Sequence, residues 1–477
     1  MKSKSERLIS VDILRGLTII FMIIVNDPGS WSHVYAPLLH ADWNGITPTD
    51  YIFPTFLFIV GVSIVLSLSK KKEENFSKKI LLKKIIWRSL KIYLVGLFLW
   101  LWPNFEVDNI RWVGVLQRIS VVYLFTAIIF LYLNLRSQII LLSQILLFYT
   151  IIMCFVPVPD IGFPDLSVPE KNWAHYLDSI LLPGIMWEKT WDPEGILSTL
   201  PSIGTGILGL IGGYIITSKN ELQKKMLNLS LFGFVLLFLG DITQYVFPLN
   251  KNLWSTSFTL LVGGISSLSL CFCIYICDYL NLGERFRFAQ SFGVNSIFSY
   301  VMAGMLTFLF YDNKKKIVGY GMSDLFCYWA ERGSDLEDIQ AKRWGPLIEW
   351  VQIELRSTLR ITNSLMPIKQ SIGVERGWIK LLEPVQTFAL TALGELVALS
   401  GSLIIGLGLQ KEKISPENAW QLIRIDEEWQ RDKWGRLDEH KKEDRINKAA
   451  FMHSCRVLKH LVLLSIHLNF DNFLILL

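Results

Sequence analysis

The chain has 477 residues, 51% of them hydrophobic and 17 of them Trp, a composition too apolar for an ordinary soluble protein of this length and one that points to the membrane. Its formal charge of +5 is small for a nucleic-acid binder, and the Lys and Arg cluster beside apolar runs, where membrane topology accounts for them. No nucleic-acid partner is expected. Of the six Cys, Cys154, Cys271, Cys273 and Cys277 fall within apolar runs without ligand-type neighbours, so neither a disulfide framework nor a metal site is expected.

A helix crossing the hydrocarbon needs about 20 apolar residues. By that ruler the chain presents about nine spans, near 13–26, 51–69, 89–103, 117–135, 138–157, 198–217, 227–246, 256–279 and 289–311. The first is read as an uncleaved helix, because no small-residue cleavage site precedes the loop that follows it. MKSKSER at the N-terminus and the basic segment SKKKEENFSKKILLKKIIWR after the second span both face the cytoplasm under the positive-inside bias; the same segment suits acidic membrane lipid. The loop Asn26–Asp50 is then placed outside, together with 158–197 and Phe247–Trp254. Beyond about Phe310 the chain turns charged and helix-patterned. The expected fold is all-α: a polytopic transmembrane helical bundle over 1–315, a smaller soluble helical domain over 320–458 and an unassigned apolar tail over 459–477.

The first loop, NDPGSWSHVYAPLLHADWNGITPTD, has no Lys or Arg. It carries His33, His40, Asp42, Asp50, Asn26 and Asn44 with Trp31 and Trp43, a mixture suited to a pocket for a polar ligand. Elsewhere Arg15, Arg118 and Asp241 interrupt apolar runs. Burying such a charge costs several kcal/mol unless it has a partner or faces a cavity, so each marks either a ligand path or an internal ion pair. The glycines of IGTGILGLIGG (Ile203–Gly213) are read as close helix packing rather than a phosphate loop.

The order RLISVDILRGLTIIFMIIVN, HADWNGITPTDYIFPTFLFIVGVSI, RWVGVLQRI, WDPEGILSTLP, FPLNKNLW and FGVNSIFSYVMAG resembles the heparan-alpha-glucosaminide N-acetyltransferase family and its bacterial homologues over roughly 6–311. The resemblance implies a membrane enzyme that takes acetyl from acetyl-CoA on the cytoplasmic side and gives it to an amino sugar or related glycan on the far side, in a bacterial inner membrane. It implies His40 as the catalytic residue and Arg15 as a donor contact at the cytoplasmic entry. The residues read by themselves agree: acetyl transfer from a thioester to an amine needs a group that removes a proton at neutral pH or attacks the thioester, and imidazole suits both. Asn26 can bond the imidazole or the thioester carbonyl, and Asp42 or Asp50 can orient the ring. The candidate set is therefore His40, Asn26 and Asp50 for catalysis and Arg15 and Arg118 for the donor. Asp42, Trp43, Asn44, Lys251 and Asn252 are the candidates for the acceptor.

Further on, DLFCYWAERGSDLEDIQAKRWGPLIEWVQIELRSTLRITNSLMPIKQ and the stretch from ALGELVALSGSLIIGLGL to IDEEWQRDKWG resemble the C-terminal helical domain of the F-type ATP synthase assembly chaperone, without that chaperone's β domain. The resemblance implies a client face at Asp426, Glu427 and Glu428 for the ATP synthase alpha subunit. It also makes ALGELVALSGSLIIGLGL a buried core helix rather than a membrane span. The join near 314–319 is expected to be a fusion of two reading frames, with the tail after Lys459 translated non-coding sequence. Membrane lipid and a second copy of the chain, as a homodimer, complete the expected partners. A transporter or flippase that uses the same buried charges without chemistry is the competing class.

Overall fold

The computed structural model describes residues 8–27, 34–74, 76–102, 105, 107–311, 313–364, 366–385, 387–435 and 438–467. His33 and Trp31 of the first loop, and the tail beyond His467, lie outside the described residues. The chain divides into two compact units, 1–305 and 306–477. Every regular element among the described residues is helical, with only isolated β-bridges besides.

The first unit holds α1 (Ile9–Asn26), α2 (Ile52–Glu73), α3 (Lys78–Leu101), α4 (Val115–Tyr132), α5 (Leu135–Phe155), the short α6 (Trp173–Leu181), α7 (Ile196–Thr217), α8 (Leu222–Thr243), α9 (Thr256–Ile274), α10 (Arg287–Val294) and α11 (Ser296–Tyr311), within which the division between the units falls. Seven helices among the described residues are long and apolar enough to cross a membrane, against the nine spans predicted. The difference lies in two places. α3 reaches back to Lys78 and carries Lys79, Lys83, Lys84, Arg88 and Lys91 along its first half. The expected span 289–311 is broken at Asn295, whose side-chain amide bonds the Ser291 carbonyl at the end of α10.

α2 and α7 form the centre of this unit. Phe58, Val62, Ile207 and Leu208 are buried to within 1% of complete, and the two helices close on glycine. A Cβ added to Gly61 would sit 2.1 Å from the Gly206 carbonyl oxygen, and one on Gly209 would sit 2.0 Å from that of Phe58. In a lipid medium helix association rests on such close backbone approach, since apolar side chains gain little by leaving lipid for one another.

The second unit contains α12 (Asn313–Met322), α13 (Asp335–Leu355), α14 (Ile372–Leu382), α15 (Thr387–Ser400), α16 (Leu403–Gln410), α17 (Pro416–Ile423), α18 (Ile425–Trp434) and α19 (Asp438–His467). Its core is built on Trp344 and Trp378, both fully buried, with Phe326 stacked on Trp344 at 4.7 Å. The apolar run 392–409 is two helices. Gly401, at φ +66°, ends α15, and Ser402 then caps α16 by accepting from Ile405 N–H. Neither piece approaches the roughly 20 residues of a span. Most of α16 is fully buried. Asp324 holds the turn by accepting from the Ser402 hydroxyl at 2.7 Å and from Ile404 N–H at 3.0 Å.

Candidate active site

The segments 34–51, 107–114, 156–195 and 244–255 meet at one end of the first unit. Gly45 N–H donates to the Leu249 carbonyl (2.8 Å), the Trp43 indole donates to that of Leu166 (2.9 Å), and Ile185 N–H donates to that of Ile110 (3.1 Å). The loop bearing His40 is thereby tied to the loop bearing Lys251.

Within the first loop the sequence Thr47-Pro48-Thr49-Asp50 makes a capping box. Asp50 accepts from the backbone N–H of Thr47 (2.9 Å) and from its hydroxyl (3.1 Å), which satisfies the free donors at the turn start. The same oxygen receives Ala41 N–H (3.2 Å), and the other lies 2.7 Å from Nδ1 of His40. Asp50 is 1% exposed, whereas the His40 side chain is 48% exposed. The imidazole is thus anchored at one edge and open elsewhere. A carboxylate only accepts, so Nδ1 carries a proton, and in the neutral ring the lone pair falls on Nε2. Lys251 Nζ stands 3.0 Å from each ring nitrogen and 3.8 Å from Asp50 Oδ1. Burial holds the Lys251 ammonium below its ordinary value, while Asp50 and Glu194 act in the opposite sense.

Of the two acidic residues that were able to orient the ring, Asp50 is the one in place; Asp42 is exposed. Asn26 closes α1, is exposed and has no hydrogen bond to His40 or Asp50 among the described residues. Trp43 and Asn44 spend their polar atoms on the loop itself: both donate to the Leu166 carbonyl, and Asn44 Oδ1 accepts from Asn250 at 3.0 Å. Asn252 is half-buried beside Lys251. Arg118 is 2% exposed and lies over the Trp254 ring at 5.0 Å. Its Nη2 donates to Ser198 Oγ (2.5 Å) and the Gly195 carbonyl (3.2 Å), but Nε and Nη1 face no acceptor among the described residues.

Arg15 is at the other end of the unit's helices. It ties α1 to α2 and α10 through Ser63 Oγ (2.7 Å) and the Gly293 carbonyl (3.1 Å), beside Asp12 (3.2 Å). Asp241 is exposed near the end of α8, where it accepts from Gln244. In the second unit Asp426 accepts from Gln340 (2.7 Å), Glu427 pairs with Arg424, and Glu428 lies 3.4 Å from Arg431. Each of the three acids has a partner within its own unit.

Sequence reading singled out no individual residue of a second charged group beside the site. Arg111 makes a two-point bond to Asp192 (2.7 and 2.6 Å) and a third contact to Glu194 (2.7 Å), with its guanidinium near the rings of Trp187 and Trp100. Burial opposes the Arg111 charge, but the bonds to Asp192 and the charge of Glu194 outweigh it and hold the group above its ordinary value. The signal was present in RWVG and WDPEG, yet nothing local pairs residues 81 apart in sequence.

Asp178 on α6 completes this layer. It is 1% exposed, accepts from Ile196 N–H (2.9 Å) at the start of α7, and is pushed up to about 6, chiefly by burial. Its folded value lies above the unfolded one, so its contribution to stability is fully present below about pH 4 and is lost as pH rises through about 6. Asp178→Asn should gain stability relative to the parent across that window, on the order of 3 kcal/mol. Thermal unfolding of both proteins from pH 4 to 7.5 checks this; a difference that stays flat with pH refutes it.

The family model for heparan-alpha-glucosaminide N-acetyltransferase, catalytic, matches residues 7–251. Heparan-alpha-glucosaminide N-acetyltransferase of Mus musculus is 30% identical over 359 residues, 63% of this chain and 54% of that protein. The Homo sapiens protein is 30% identical over 354 residues, 62% of this chain and 52% of its own length. The chain thus spans about half the length of the curated relatives it matches. Among solved structures, Atp12 from Paracoccus denitrificans is 32% identical, covering 38% of this chain and 80% of that one at a TM-score of 0.32.

Proposed function

Because the chain belongs to the heparan-alpha-glucosaminide N-acetyltransferase catalytic family, we propose that it is an integral membrane acetyltransferase that moves acetyl from acetyl-CoA to the amino group of glucosamine or a related glycan, with His40 as the proton-handling group. The observation that carries this reading is the contact that His40 and Asp50, in the loop between the apolar helices α1 and α2, make with Lys251 from the loop between α8 and α9. Nδ1–H is held by buried Asp50, which fixes the tautomer and leaves the Nε2 lone pair for a substrate proton. The acceptor nitrogen attacks the thioester carbonyl carbon; a C–N bond forms and the C–S bond breaks. The proton lost by the amine passes to Nε2 and then to the departing thiolate, so the ring ends as it began. Arg118, with two unmet buried donors, supports a ligand oxygen on this side, because such donors cost free energy until an acceptor arrives.

In this reading the N-terminus and the basic stretch of α3 face the cytoplasm, and the His40 loop faces the opposite side. Arg15, at the cytoplasmic end, is proposed to meet the donor's phosphates. Arg15→Ala should raise KM for acetyl-CoA about fivefold or more with kcat within about twofold, the pattern of lost uniform binding. Lost yield with unchanged KM would instead assign Arg15 to its bonds with Ser63 and Gly293.

The reading as a whole is tested with purified protein in detergent, radiolabelled acetyl-CoA and a panel of amino sugars, in which labelled N-acetylglucosamine is the expected product. No acetyl transfer to any sugar, together with passage of an amino sugar across proteoliposomes, would make the protein a transporter.

A further inference from the structure

Lys251 stands on its own loop, whose backbone is fixed by hydrogen bonds beneath it. Asn250 is fully buried and donates through Nδ2 to Asn44 (3.0 Å) and through its N–H to Ser255 Oγ (3.1 Å), while its Oδ1 accepts from Leu253 N–H (2.8 Å). Trp254, 1% exposed and at φ +52°, closes the turn by donating its N–H to the Lys251 carbonyl. The ammonium is therefore delivered to one place, 3.0 Å from both ring nitrogens of His40. A point equidistant from the two nitrogens lies over the ring face and out of line with the in-plane lone pair of Nε2, which is left open. That is the lone pair the proposed reaction needs. Among the described residues the nearest carboxylate oxygen to the ammonium is Asp50 Oδ1 at 3.8 Å, and the side chain is 17% exposed.

We propose that Lys251 is a second catalytic group of this site, whose ammonium stands over the His40 ring at rest and passes to the thioester carbonyl oxygen during transfer, stabilising the oxyanion there. The inference rests on the acetyltransferase reading above. It departs from acceptor binding for a physical reason. An amino sugar carries a positive ammonium at neutral pH, and a buried cation at the same spot repels that form and favours the neutral, nucleophilic amine. A preorganised cation beside a developing oxyanion has its largest effect in the transition state and little in the ground state. The lowered proton affinity that burial gives Lys251 strengthens it as a hydrogen-bond donor to that oxygen.

The test compares Lys251→Met, Lys251→Arg and Lys251→Cys in purified protein, with kcat and KM measured separately for acetyl-CoA and glucosamine. Removing the cation should lower kcat about 10²- to 10³-fold, the range seen for loss of one oxyanion donor, with both KM values within about threefold. Treating Lys251→Cys with 2-bromoethylamine rebuilds a side chain of lysine length ending in an ammonium, and should restore kcat at least about tenfold relative to identically treated parent. Because that comparison is made on one folded protein before and after alkylation, it holds even where Lys251→Met is poorly produced. A rise in the glucosamine KM at unchanged kcat would make Lys251 an acceptor contact and overturn the proposal. So would full activity in Lys251→Met, or no recovery on aminoethylation. Should His40→Ala be inactive while Lys251→Met is active, the inference about Lys251 fails and the acetyltransferase reading stands; a parent protein that transfers no acetyl overturns both.

Discussion

His40→Ala should lose acetyl transfer by about 10³-fold or more in kcat, at the upper end of what one positioned acid–base group contributes, while its yield and melting temperature stay near those of the parent. The two halves of the expectation come from one geometry. The ring makes its chemistry available because nearly half of the side chain is exposed, and for the same reason its removal opens little cavity. Asp50→Asn should behave differently. Asp50 is buried and accepts from His40, Ala41 and both donors of Thr47, so an amide there both frees the ring to take the wrong tautomer and opposes one of those donors with an N–H. Its loss of kcat should approach that of His40→Ala, accompanied by a lower melting temperature, because a buried donor left unsatisfied costs about 1–3 kcal/mol. Steady-state kinetics and thermal unfolding on the three proteins check this. Activity of His40→Ala within a few fold of the parent would remove His40 from the chemistry.

Gly61→Val should abolish monodisperse protein in detergent, or lower the melting temperature by roughly 10 °C or more. The first added carbon already falls 2.1 Å from a backbone oxygen of α7. Backbone cannot swing aside as a side chain can, so α2 and α7 must part along their length, and Phe58, Val62, Ile207 and Leu208 lose contact together. That is a larger disturbance than the about 1–3 kcal/mol of ordinary overpacking. Gly209→Val meets the Phe58 carbonyl from the other side and should match it. Gly345→Ala, in α13 with nothing within 4 Å of the added carbon, is the control that should elute as the parent does. Size-exclusion profiles of the four proteins distinguish the outcomes, and a Gly61→Val protein of parental stability would show that α2 and α7 tolerate separation.

What was legible in the sequence is what depends on near neighbours along the chain. Apolar runs the length of a bilayer's hydrocarbon mark α1, α2, α4, α5, α7, α8 and α9, because in lipid a helix must satisfy its own backbone and needs no partner to be recognised. The polar loop between the first two runs was equally visible, and with it His40. The choice between Asp42 and Asp50 was not, since it turns on a capping box that directs one carboxylate inward and leaves the other in the open. The break at Gly401 and the break at Asn295 likewise hid inside runs that are apolar on average, where a single backbone torsion or side-chain bond overrides composition. Furthest from the sequence were the pairings across loops: Lys251 with His40, 211 residues apart, and Arg111 with Asp192, 81 apart. Charge can be read from a sequence, but a partner cannot. The order of spans puts these loops on one side, but which side chains meet there is set by hydrogen bonds between loops, such as Gly45 N–H to the Leu249 carbonyl.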